Sequence, residues 1–478
     1  MSPPTKTHVE LRSGAYADSV ALLQVSRDVA AIDGVLAAQV AMATPLNVEV
    51  LAGMGFDVPA ASPNDMVVAL RVHDDDALDR GLAAVDRSLA AAVRRPAGAT
   101  GDGSLAPHRT TATALRSEPG ALVLVSTPGA SAAVEAMDAL DAGADVMLFS
   151  DNVPLEQEVA LKRLAAERGL LVMGPDCGTA VLGGLGLGFA NVVQPGPVGI
   201  VAASGTGCQQ LLSLLDFAGV GVTSALGVGG RDLSEEVGGL ATREALRRLD
   251  VDESVELIVL VSKPPAPEVA AEIEAYVASL GTPVELAFLG PGRPDLTSTT
   301  ETVLRRLGRE VPTWPVRVPG VSHLGGPGNL LHGLFVGGTN ATEARLVVES
   351  LVGPEGVSST GHTFTDFGDD AYTAGRAHPM IDPTIRLEHL ARIADDRGTG
   401  VLLLDVVLGH GAEADPSSLL APAIAQVPQP VVVALVGTAH DPQDRDRQAQ
   451  QLAGAGAEVH LSNAGAARRA VELLRGGA

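Results

Sequence analysis

The sequence predicts an α/β protein of several domains whose main sheets are parallel. From residue 121 onward, short apolar runs alternate with segments of helical periodicity, which is the pattern of βαβ units. A strand, a glycine turn and a helix near residue 200 are followed by a second copy of the same plan near residue 335, which indicates an internal repeat. With 478 residues, 46% of them apolar, the chain can bury several cores.

Composition limits the classes of partner and compartment. The formal net charge is −24, so we expect neither nucleic acid nor an anionic membrane as a partner. No apolar run approaches the ~20 residues of a membrane span, and the first residues lack the pattern of a secretion signal. Two cysteines are too few for a disulfide framework or a four-cysteine zinc site. These features predict a cytoplasmic protein.

Residues 1–95 are predicted to form a small α+β domain of ferredoxin-like or ligand-sensor type. Strand-like and apolar stretches alternate there with helical stripes, and none of them indicates catalysis. The strong strand is 66–72, and the helix 75–93 begins with acidic residues, which suit the positive end of a helix. Residues 94–113, rich in Pro, Gly, Ala and Thr, are predicted to be a linker.

Residues 114–195 are predicted to form a Rossmann-like domain. Its three apolar strands end at Ser126, Ser150 and Met173. Because parallel strands present their carboxyl ends at one edge, where ligands bind, the loops that follow should gather there. The absence of a Gly-x-Gly-x-x-Gly motif after the first strand argues against a dinucleotide site. The candidate ligand-binding residues in these loops are Asp151, Asn152 and Cys177.

Residues 196–312 are predicted to form a flavodoxin-like domain that opens with the apolar run 198–203. A glycine-rich turn and leucines at helical spacing follow this strand. Such a turn can bind a phosphate, because glycines let the backbone approach an anion and the first N–H groups of the helix point at it. The alternative is an ordinary turn in which Ser204 caps the helix. The predicted anion-binding residues are Ser204, Gly205, Thr206 and Gly207.

Residues 329–478 are predicted to form a second flavodoxin-like domain, which repeats the first. Gly333 to Asn340 has the plan of Gly199 to Thr206, namely a glycine, a short apolar strand and a Gly/Thr turn before a helix. Two facing turns of this kind could hold one anion from both sides. The stretch 291–328, rich in Pro, Gly, Thr and Arg, is predicted to be a second linker. The predicted anion-binding residues of this copy are Gly337, Gly338, Thr339 and Asn340.

Several charged residues are further candidates for anion binding. Lys263 follows an apolar strand, at the edge where α/β sheets bind ligands. Arg231, beside Gly230, lies at the tip of a glycine loop, and arginine grips carboxylates and phosphates with two parallel hydrogen bonds. Arg376 is a similar candidate. The alternatives are a surface position for the lysine and salt bridges, with Asp232 or Asp370, for the arginines.

His378 is the most informative histidine. It lies between Arg376 and Pro379, where it could donate to a substrate oxygen, act as a general acid or base, or accept a phosphoryl group. A structural role in its loop is the alternative. Cys177 and Cys208 lie at glycine turns, where thiol pKa values can fall, although small packing residues are the simpler interpretation. Four aspartates could bind Mg²⁺, but acidic loops are usually solvated and no metal site is predicted: Asp366, Asp369, Asp370 and Asp405.

Three motifs resemble the α subunit of succinyl-CoA synthetase: Ser150-Asp-Asn-Val-Pro154, Gly174-Pro-Asp-Cys-Gly178 and Gly199-Ile-Val-Ala-Ala-Ser-Gly-Thr206. The second repeat is similar to the carboxy-terminal domain of the β subunit of that enzyme. Almost the whole chain resembles the FdrA family. Its motifs here are Ser204-Gly-Thr-Gly207, Leu226-Gly-Val-Gly-Gly-Arg-Asp232, Val261-Ser-Lys-Pro-Pro265, Gly375-Arg-Ala-His-Pro-Met-Ile-Asp-Pro383 and Leu404-Asp-Val-Val-Leu-Gly409.

The resemblance implies a CoA-binding-type Rossmann domain at 114–195 and acyl-transfer chemistry. FdrA proteins are described as acyl-CoA synthetases and as subunits of oxamate carbamoyltransferase. The relay histidine of the synthetase is expected near Leu289-Gly-Pro-Gly292, where this sequence has none, and Gln210 stands where the synthetase has a glutamate. The chain also has no ATP-grasp domain ahead of its second repeat. A phosphohistidine relay within this chain alone is therefore not expected.

We expect a subunit that transfers a carbamoyl or other acyl group, with His378, Lys263 and Arg376 as catalytic residues. Its substrate is expected to be carbamoyl phosphate or another acyl phosphate, and CoA and Mg²⁺ are further candidates. A homo-oligomer and a complex with separately encoded subunits are expected. Two alternatives stay open: an ADP-forming acyl-CoA synthetase, and a non-catalytic scaffold that binds a metabolite and regulates a partner enzyme.

Overall fold

The computed structural model describes residues 5–93, 108–320, 328–373 and 376–476. The chain divides into two compact units, which we call unit 1 and unit 2. Unit 1 comprises Met1–Pro107 and Asp369–Asp382, and unit 2 comprises His108–Gly368 and Pro383–Ala478. Among the described residues, no helix has both the length and the apolar character needed to cross a bilayer.

Unit 1 contains a three-stranded antiparallel sheet with strand order β1-β3-β2. Its central strand is buried at six of its seven residues, and both faces of the sheet are covered. Helices α1 and α3 pack on one face around Val68 and Leu70, whereas Leu51 of α2 packs on the other face against Val67. This arrangement confirms the small α+β domain. Its elements are β1 (Lys6–Arg12), α1 (Ser19–Ala30), β2 (Val35–Met42), α2 (Pro45–Gly53), β3 (Met66–Val72) and α3 (Asp75–Val93).

Unit 2 begins with a small parallel sheet of order β4-β5-β6. One face of it is covered by α5 and α6, through apolar contacts that include Leu140 and Leu161. On its other face, Met147 and Met173 belong to the same core as residues of the following sheet. The elements are α4 (Thr111–Ser117), β4 (Val123–Val125), α5 (Gly129–Asp141), β5 (Val146–Leu148), α6 (Leu155–Arg168) and β6 (Val172–Met173).

The second sheet of unit 2 has six strands in the order β12-β11-β9-β10-β7-β8. Its strands β9 to β12 are parallel, and an antiparallel hairpin of β7 and β8 extends the edge. The elements are β7 (Thr179–Leu182), β8 (Leu185–Gly188), β9 (Val198–Ala203), α7 (Gly205–Phe217), β10 (Val222–Gly227), α8 (Leu240–Asp250), β11 (Leu257–Ser262), α9 (Pro267–Val277), β12 (Val284–Phe288) and α10 (Leu296–Arg306).

The third sheet has the order β13-β18-β17-β16-β14-β15, in which only β13 is antiparallel to its neighbour among the described strands. Helix α13 (Asp370–Thr373) belongs to unit 1. The other elements, all in unit 2, are β13 (Val316–Arg317), β14 (Leu330–Phe335), α11 (Gly338–Val352), α12 (Pro354–Thr360), β15 (Thr363–Asp366), α14 (Thr384–Ala394), β16 (Thr399–Val407), α15 (Pro416–Ile424), β17 (Val431–Val436), α16 (Arg445–Gly454), β18 (Ala457–His460) and α17 (Asn463–Gly476).

The internal repeat is visible in the strand orders. In both six-stranded sheets the first strand of the repeat, β9 or β14, lies between its second strand on one side and its third and fourth on the other. Each first strand runs through a glycine turn into a helix, α7 or α11. The prediction of an α/β protein with two flavodoxin-like parallel sheets is therefore confirmed, with added antiparallel edge strands.

The predicted linker at 291–328 is wrong in its first half. Residues Leu296–Arg306 form α10, whose Asp295 cap accepts a hydrogen bond from the N–H of Ser298. Leu296, Val303 and Leu304 are buried in the core beneath the second sheet. The sequence of α10 is rich in Thr and Arg, so its few apolar residues do not stand out as a helical stripe in the sequence. Of the linker predicted at 94–113, residues 94–107 lie outside the described part, and α4 begins at Thr111.

Candidate functional site

Two glycine turns at the carboxyl ends of equivalent strands form the centre of the candidate site. Ser204 has extended backbone angles, with φ −169° and ψ 119°, and its Oγ accepts a hydrogen bond from the N–H of Gly207. The hydroxyl therefore caps α7, as an N-cap serine does. Gly337 occupies the same position before α11 but has no side chain to cap it. We call the segments Ser204–Gly207 and Gly337–Asn340 together the paired turns.

The paired turns contact each other directly. The Oγ of Ser204 lies 2.5 Å from the Oγ1 of Thr339, within hydrogen-bond distance. A Cβ on Gly337 would overlap the side chain of Thr206, and one on Gly207 would lie 2.9 Å from the Cγ2 of Thr339. Glycine is thus required at both positions by the close approach of the two helix starts. The predicted residues of both turns are brought together within unit 2.

One side of the paired turns is open to solvent. Gly205 is exposed and Gly338 is partly exposed, whereas Ser204, Thr206 and Thr339 are buried. Within the described part of the chain, the N–H groups of Gly205 and Gly338 have no hydrogen-bond partner. Unpaired N–H groups at two helix starts present partial positive charge, which favours an anion at this opening.

Lys263 and Asp366 flank this opening. A Cβ on Gly338 would lie 2.5 Å from the Nζ of Lys263 and would also overlap the Oδ2 of Asp366. Lys263 follows β11 and is exposed, and Asp366 ends β15, where it also accepts a hydrogen bond from the N–H of Gly368 at 2.9 Å. The lysine is therefore placed at the predicted anion site. From the sequence, Asp366 is a candidate only for binding Mg²⁺, not for binding an anion.

A buried polar network supports the second turn from below. The Nδ2 of Asn340 donates to the Oδ2 of Asp405 at 3.0 Å, and the N–H of Val336 donates to its Oδ1 at 2.8 Å. Burial raises the pKa of Asp405, and nearby Arg386 opposes that rise. The guanidinium of Arg386 also donates to the carbonyl of Asp405 at 2.7 Å. The side chain of Asn340 therefore helps to position the turn Gly337–Asn340.

A second network joins the helices of both turns. The Nε2 of Gln210 donates to the carbonyl of Leu461 at 3.1 Å, and the Oε1 of Gln210 accepts from the N–H of Asn463. The Nδ2 of Asn463 donates to the carbonyl of Asn340 and to the Oε2 of Glu343, at 3.0 and 2.7 Å. Gln210 therefore has a structural role between the two repeats.

Glu343 is a buried carboxyl group within this second network. Its Oε1 accepts a hydrogen bond from the N–H of Leu296 at 2.6 Å, which ties α11 to the start of α10. Burial, followed by the nearby charge of Asp295, raises the pKa of Glu343 to about 7. No local motif in the sequence singles out Glu343 as a site residue. The polar stripe of Thr206, Gln210 and Ser213 along an otherwise apolar α7 was the signal that this helix faces a buried polar interface.

The loops that follow β4, β5 and β6 meet at the edge of the first sheet of unit 2. The Oγ of Ser150 donates to the carbonyl of Thr127 at 2.5 Å, and the N–H of Asp176 donates to the carbonyl of Ser150 at 3.0 Å. Asn152 has a positive φ of 54° and an exposed side chain, and Asp151 is partly exposed. The predicted gathering of these loops is therefore present in the structure.

Cys177 lies at the inner side of these loops and is fully buried. A Cβ on Gly227 would lie 2.6 Å from its Sγ, so the thiol fills the space against β10. Burial, with a smaller contribution from Asp176, raises its pKa to about 12. Burial likewise raises the pKa of Cys208. Both thiols have the environment of packing residues, and the lowered pKa expected for a turn near a helix start is absent.

Arg231, beside the predicted Gly230, is engaged by neighbouring groups of the same unit. Its Nε donates to the Oε2 of Glu158 and its Nη2 to the carbonyl of Val153, both at 2.8 Å. The predicted alternative, a salt bridge, is thus present with a different partner, because Asp232 binds Lys162 at 2.7 Å. This network holds the loop after β10 against α6.

Arg376 and His378 belong to unit 1, whereas Lys263 and the paired turns belong to unit 2. The Nδ1 of His378 accepts a hydrogen bond from the N–H of Met380 at 3.2 Å. Burial lowers the pKa of His378 to about 4, which keeps the imidazole neutral at pH 7. The structure does not unite these two residues with the paired turns within one unit.

The aspartates considered for Mg²⁺ are also divided between the units. Asp369 and Asp370 lie in unit 1, and Asp366 and Asp405 lie in unit 2, where Asp405 is paired with Arg386. Within the described residues, no group of three or more His, Cys, Asp or Glu side chains could hold a metal ion.

Comparison with known proteins shows to which family the chain belongs. Residues 3–104 match the family model described as AllF, heavy metal-associated domain, and residues 334–473 match the CoA-ligase model. The uncharacterized protein YahF of Escherichia coli strain K12 is 35% identical over 512 aligned positions, which cover 98% of each sequence. The chain belongs to the family of YahF. Its N-terminal match contains no cysteine, since both cysteines lie at 177 and 208.

Relatives that are named as CoA ligases match a smaller part of the chain than YahF does. The α subunit 2 of ADP-forming succinate–CoA ligase from Archaeoglobus fulgidus is 31% identical over 176 residues, which are 34% of this chain and 59% of that one. The α subunit of malate–CoA ligase from Methylorubrum extorquens is 25% identical over 33% of this chain and 53% of that one. The chain thus spans little more than half the length of these ligase subunits.

A solved structure adds a looser likeness. The dinucleotide-forming acetyl-coenzyme A synthetase 1 of Ca. Korarchaeum cryptofilum, solved with phosphate and ADP, superposes with a TM-score of 0.32 at 16% identity. The match covers 79% of this chain and 89% of that one.

Proposed function

We propose that this protein is a subunit of a CoA-ligase-type enzyme, an acid–thiol ligase that handles an acyl phosphate. In this proposal the paired turns bind the phosphoryl group. The observation that carries the proposal is the 2.5 Å contact between the hydroxyls of Ser204 and Thr339, which places two helix starts at one point. Either start alone would be a weak indication, because most helix N-termini bind no ligand.

The chemistry of the opening suits a phosphoryl group. The two helix starts that touch at Ser204 and Thr339 each have a first N–H group that is unpaired among the described residues, and the ammonium group of Lys263 lies beside Gly338. Fixed N–H dipoles stabilise negative charge without having to reorient during a reaction. In the proposal, Lys263 pairs with a phosphoryl oxygen, and Asp366 orients the ammonium group.

The comparisons support ligase chemistry, and the family model places it in a part of the chain that includes one of the paired turns. The CoA-ligase model covers residues 334–473, which include the turn Gly337–Asn340. Two relatives are α subunits of CoA ligases that act on succinate and malate. By analogy with these subunits, we propose that CoA is a substrate and that the chain works with a separately encoded partner subunit. The predicted CoA-binding-type domain at 114–195, with Asp151 and Asn152, is the proposed place for CoA.

Carbamoyl transfer is the narrower function expected from the FdrA resemblance, and the relatives described above lend it no support. Carbamoyl phosphate is itself an acyl phosphate, so the same paired turns would accept it. The two functions differ in their second substrate. Thioester formation from an acid, ATP and CoA identifies the ligase, whereas consumption of carbamoyl phosphate with oxamate identifies the transferase. Roles for His378 and Arg376 in either reaction remain predictions.

Binding of inorganic phosphate and acetyl phosphate to the full chain tests the site. Gly338→Ala places a methyl group against Lys263 and Asp366, whose flexible side chains can move aside, so the fold should persist. We expect phosphate and acetyl phosphate, measured by calorimetric titration, to bind at least about tenfold more weakly, a loss of about 1.4 kcal/mol. Gly454→Ala is the matched control, because a Cβ there has nothing within 4 Å. Equal binding by both variants would refute the paired turns as the phosphoryl site.

A further inference from the structure

Unit 2 contains a cleft of about 360 Å³ that lies apart from the paired turns. Its walls come from the end of α7, the edge strand β13, the first turns of α16 and the end of β18. Phe217, which lines the cleft, is the last residue of α7, whereas the paired turns lie at the first residues of that helix. With a rise of 1.5 Å per residue, about 18 Å of helix separates the two places. The cleft is therefore a separate candidate site.

The floor of the cleft is apolar. Leu435, Val459 and Leu461 line it and are almost completely buried. The ring of Phe217 forms one wall, and its centroid lies 6.1 Å from that of Trp314. An aromatic wall above an aliphatic floor suits the hydrocarbon part of a ligand, and a volume of this size suits a small molecule.

Two arginines stand at the cleft. The side chain of Arg317, on the exposed edge strand β13, takes part in no hydrogen bond or ion pair within the described residues, and its backbone pairs with that of Val459 in β18. The guanidinium of Arg445 lies 5.7 Å from the centre of the Phe217 ring. Its Nε and Nη2 share the Oδ1 of Asp446 at 3.2 Å, while its Nη1 has no partner among the described groups. Guanidinium groups bind carboxylates and phosphates through paired hydrogen bonds.

The other polar groups that line the cleft do not neutralise the positive charge of its two arginines. Asp446 is the acidic residue of its lining, and it is shared with Arg445. His460 bonds to Glu458 at 3.0 Å, and that carboxylate is in turn held by Arg469. Burial lowers the pKa of His460, so its neutral ring adds no charge near pH 7. In a chain with a net charge of −24, a cleft with two arginines and one carboxylate is an unusual feature.

We propose that this cleft is a second ligand site, which binds a small organic anion with an apolar body. The aliphatic or aromatic part lies on Leu435 and Phe217, and the carboxylate or phosphate group points toward Arg317. This assignment is independent of the function proposed for the paired turns. Carboxylic acids and phosphate monoesters share the required chemistry, and titration separates them.

Calorimetric titration of the full chain with hexanoate, hexyl phosphate and hexanol tests the proposal. We expect saturable binding of at least one of the two anions, and binding of hexanol at least tenfold weaker. The tighter anion identifies the head group. Saturable binding of neither anion, or hexanol binding as tightly as both, would overturn the proposal.

Three variants locate the binding. Ala449→Phe fills the cleft and should abolish binding, and Arg317→Gln on the exposed edge strand should weaken it about tenfold without affecting the fold. The control Arg247→Gln removes another exposed arginine, on α8, and should have no effect. Gly338→Ala at the paired turns should leave hexanoate binding unchanged, which separates this proposal from the proposed function; hexanoate is the ligand for this comparison because it carries no phosphoryl group. Wild-type binding by both cleft variants would contradict the assignment.

Discussion

The hydroxyl of Ser204 lies 2.5 Å from that of Thr339, 135 residues later in the chain. This contact joins the starts of α7 and α11, which are equivalent helices of the two repeats. Ser204 also caps α7 through the N–H of Gly207. The side chain of Ser204 therefore accepts a hydrogen bond from a backbone N–H in the first turn of α7, and it also links the two repeats of unit 2.

A double-mutant cycle of Ser204→Ala and Thr339→Val measures this link. Ser204→Ala removes the cap and the link, and we expect it to lower the free energy of unfolding by about 1–2 kcal/mol. Thr339→Val removes only the link, so its cost should be smaller, at about 0.5–1.5 kcal/mol. The two effects should not add, and the coupling energy should be at least about 0.5 kcal/mol. Urea denaturation of the four proteins checks this, and strictly additive losses would show that the hydroxyls do not interact.

Glu343 makes the stability of unit 2 depend on pH. Burial and Asp295 raise the pKa of this carboxyl group from 4.5 to about 7 in the folded chain. Between these values the folded state binds more protons than the unfolded state, so the contribution of Glu343 is full below pH 4.5 and is lost as the pH rises through about 7.

Glu343→Gln tests this pH dependence, since the amide cannot ionise and keeps an oxygen for the N–H of Leu296. Relative to the wild type, the variant should gain stability between pH 5 and pH 8, by on the order of 1–3 kcal/mol. Urea denaturation across this range checks the slope. Glu349→Gln, on the same helix but in a more exposed ion pair with Arg345, is the control. Parallel pH profiles for the wild type and Glu343→Gln would contradict the prediction.

The parts of the fold that sequence predicts well are those with strong local signals. The strand 198–203, its glycine turn and α7 follow from an apolar run, a capping serine and leucines at helical spacing. The hairpin of β7 and β8 was missed, because its strands have only four residues each and two of the four residues of β8 are glycines. The pairing of β7 with β10 is a tertiary interaction that no local period reveals.

The candidate site was predictable only where it repeats a local motif. Ser204–Gly207 and Gly337–Asn340 share one sequence plan, so their pairing could be proposed before the structure was known. The position of Asp366 beside Lys263 depends on the order of strands in two different sheets, which the sequence does not encode locally. His378 and Arg376 had suitable chemistry, but the segment Asp369–Asp382 that contains them belongs to the other unit.

Lys162 should be far more important for stability than its charge alone suggests. Its Nζ is buried and donates to Glu158, to Asp232 and to the carbonyl of Val228, at 2.7, 2.7 and 2.8 Å. Asp232 also accepts hydrogen bonds from the N–H and the hydroxyl of Thr242 at the start of α8. Removing the lysine would leave buried Asp232 without its cation and would leave buried Glu158 with Arg231 as its remaining cation.

Lys162→Met should therefore lower the free energy of unfolding by about 3–5 kcal/mol, as expected when one partner of a buried ion pair is lost. Lys6→Met is the matched control: Lys6 pairs with Asp75, but both side chains are more than half exposed, so the loss should stay below about 1 kcal/mol. Thermal and urea denaturation of the two variants check the difference. The triple variant Lys162→Met/Glu158→Gln/Asp232→Asn should recover much of the lost stability if the loss is caused by burial of uncompensated carboxylates. Equal losses of unfolding free energy in Lys162→Met and Lys6→Met would refute this explanation.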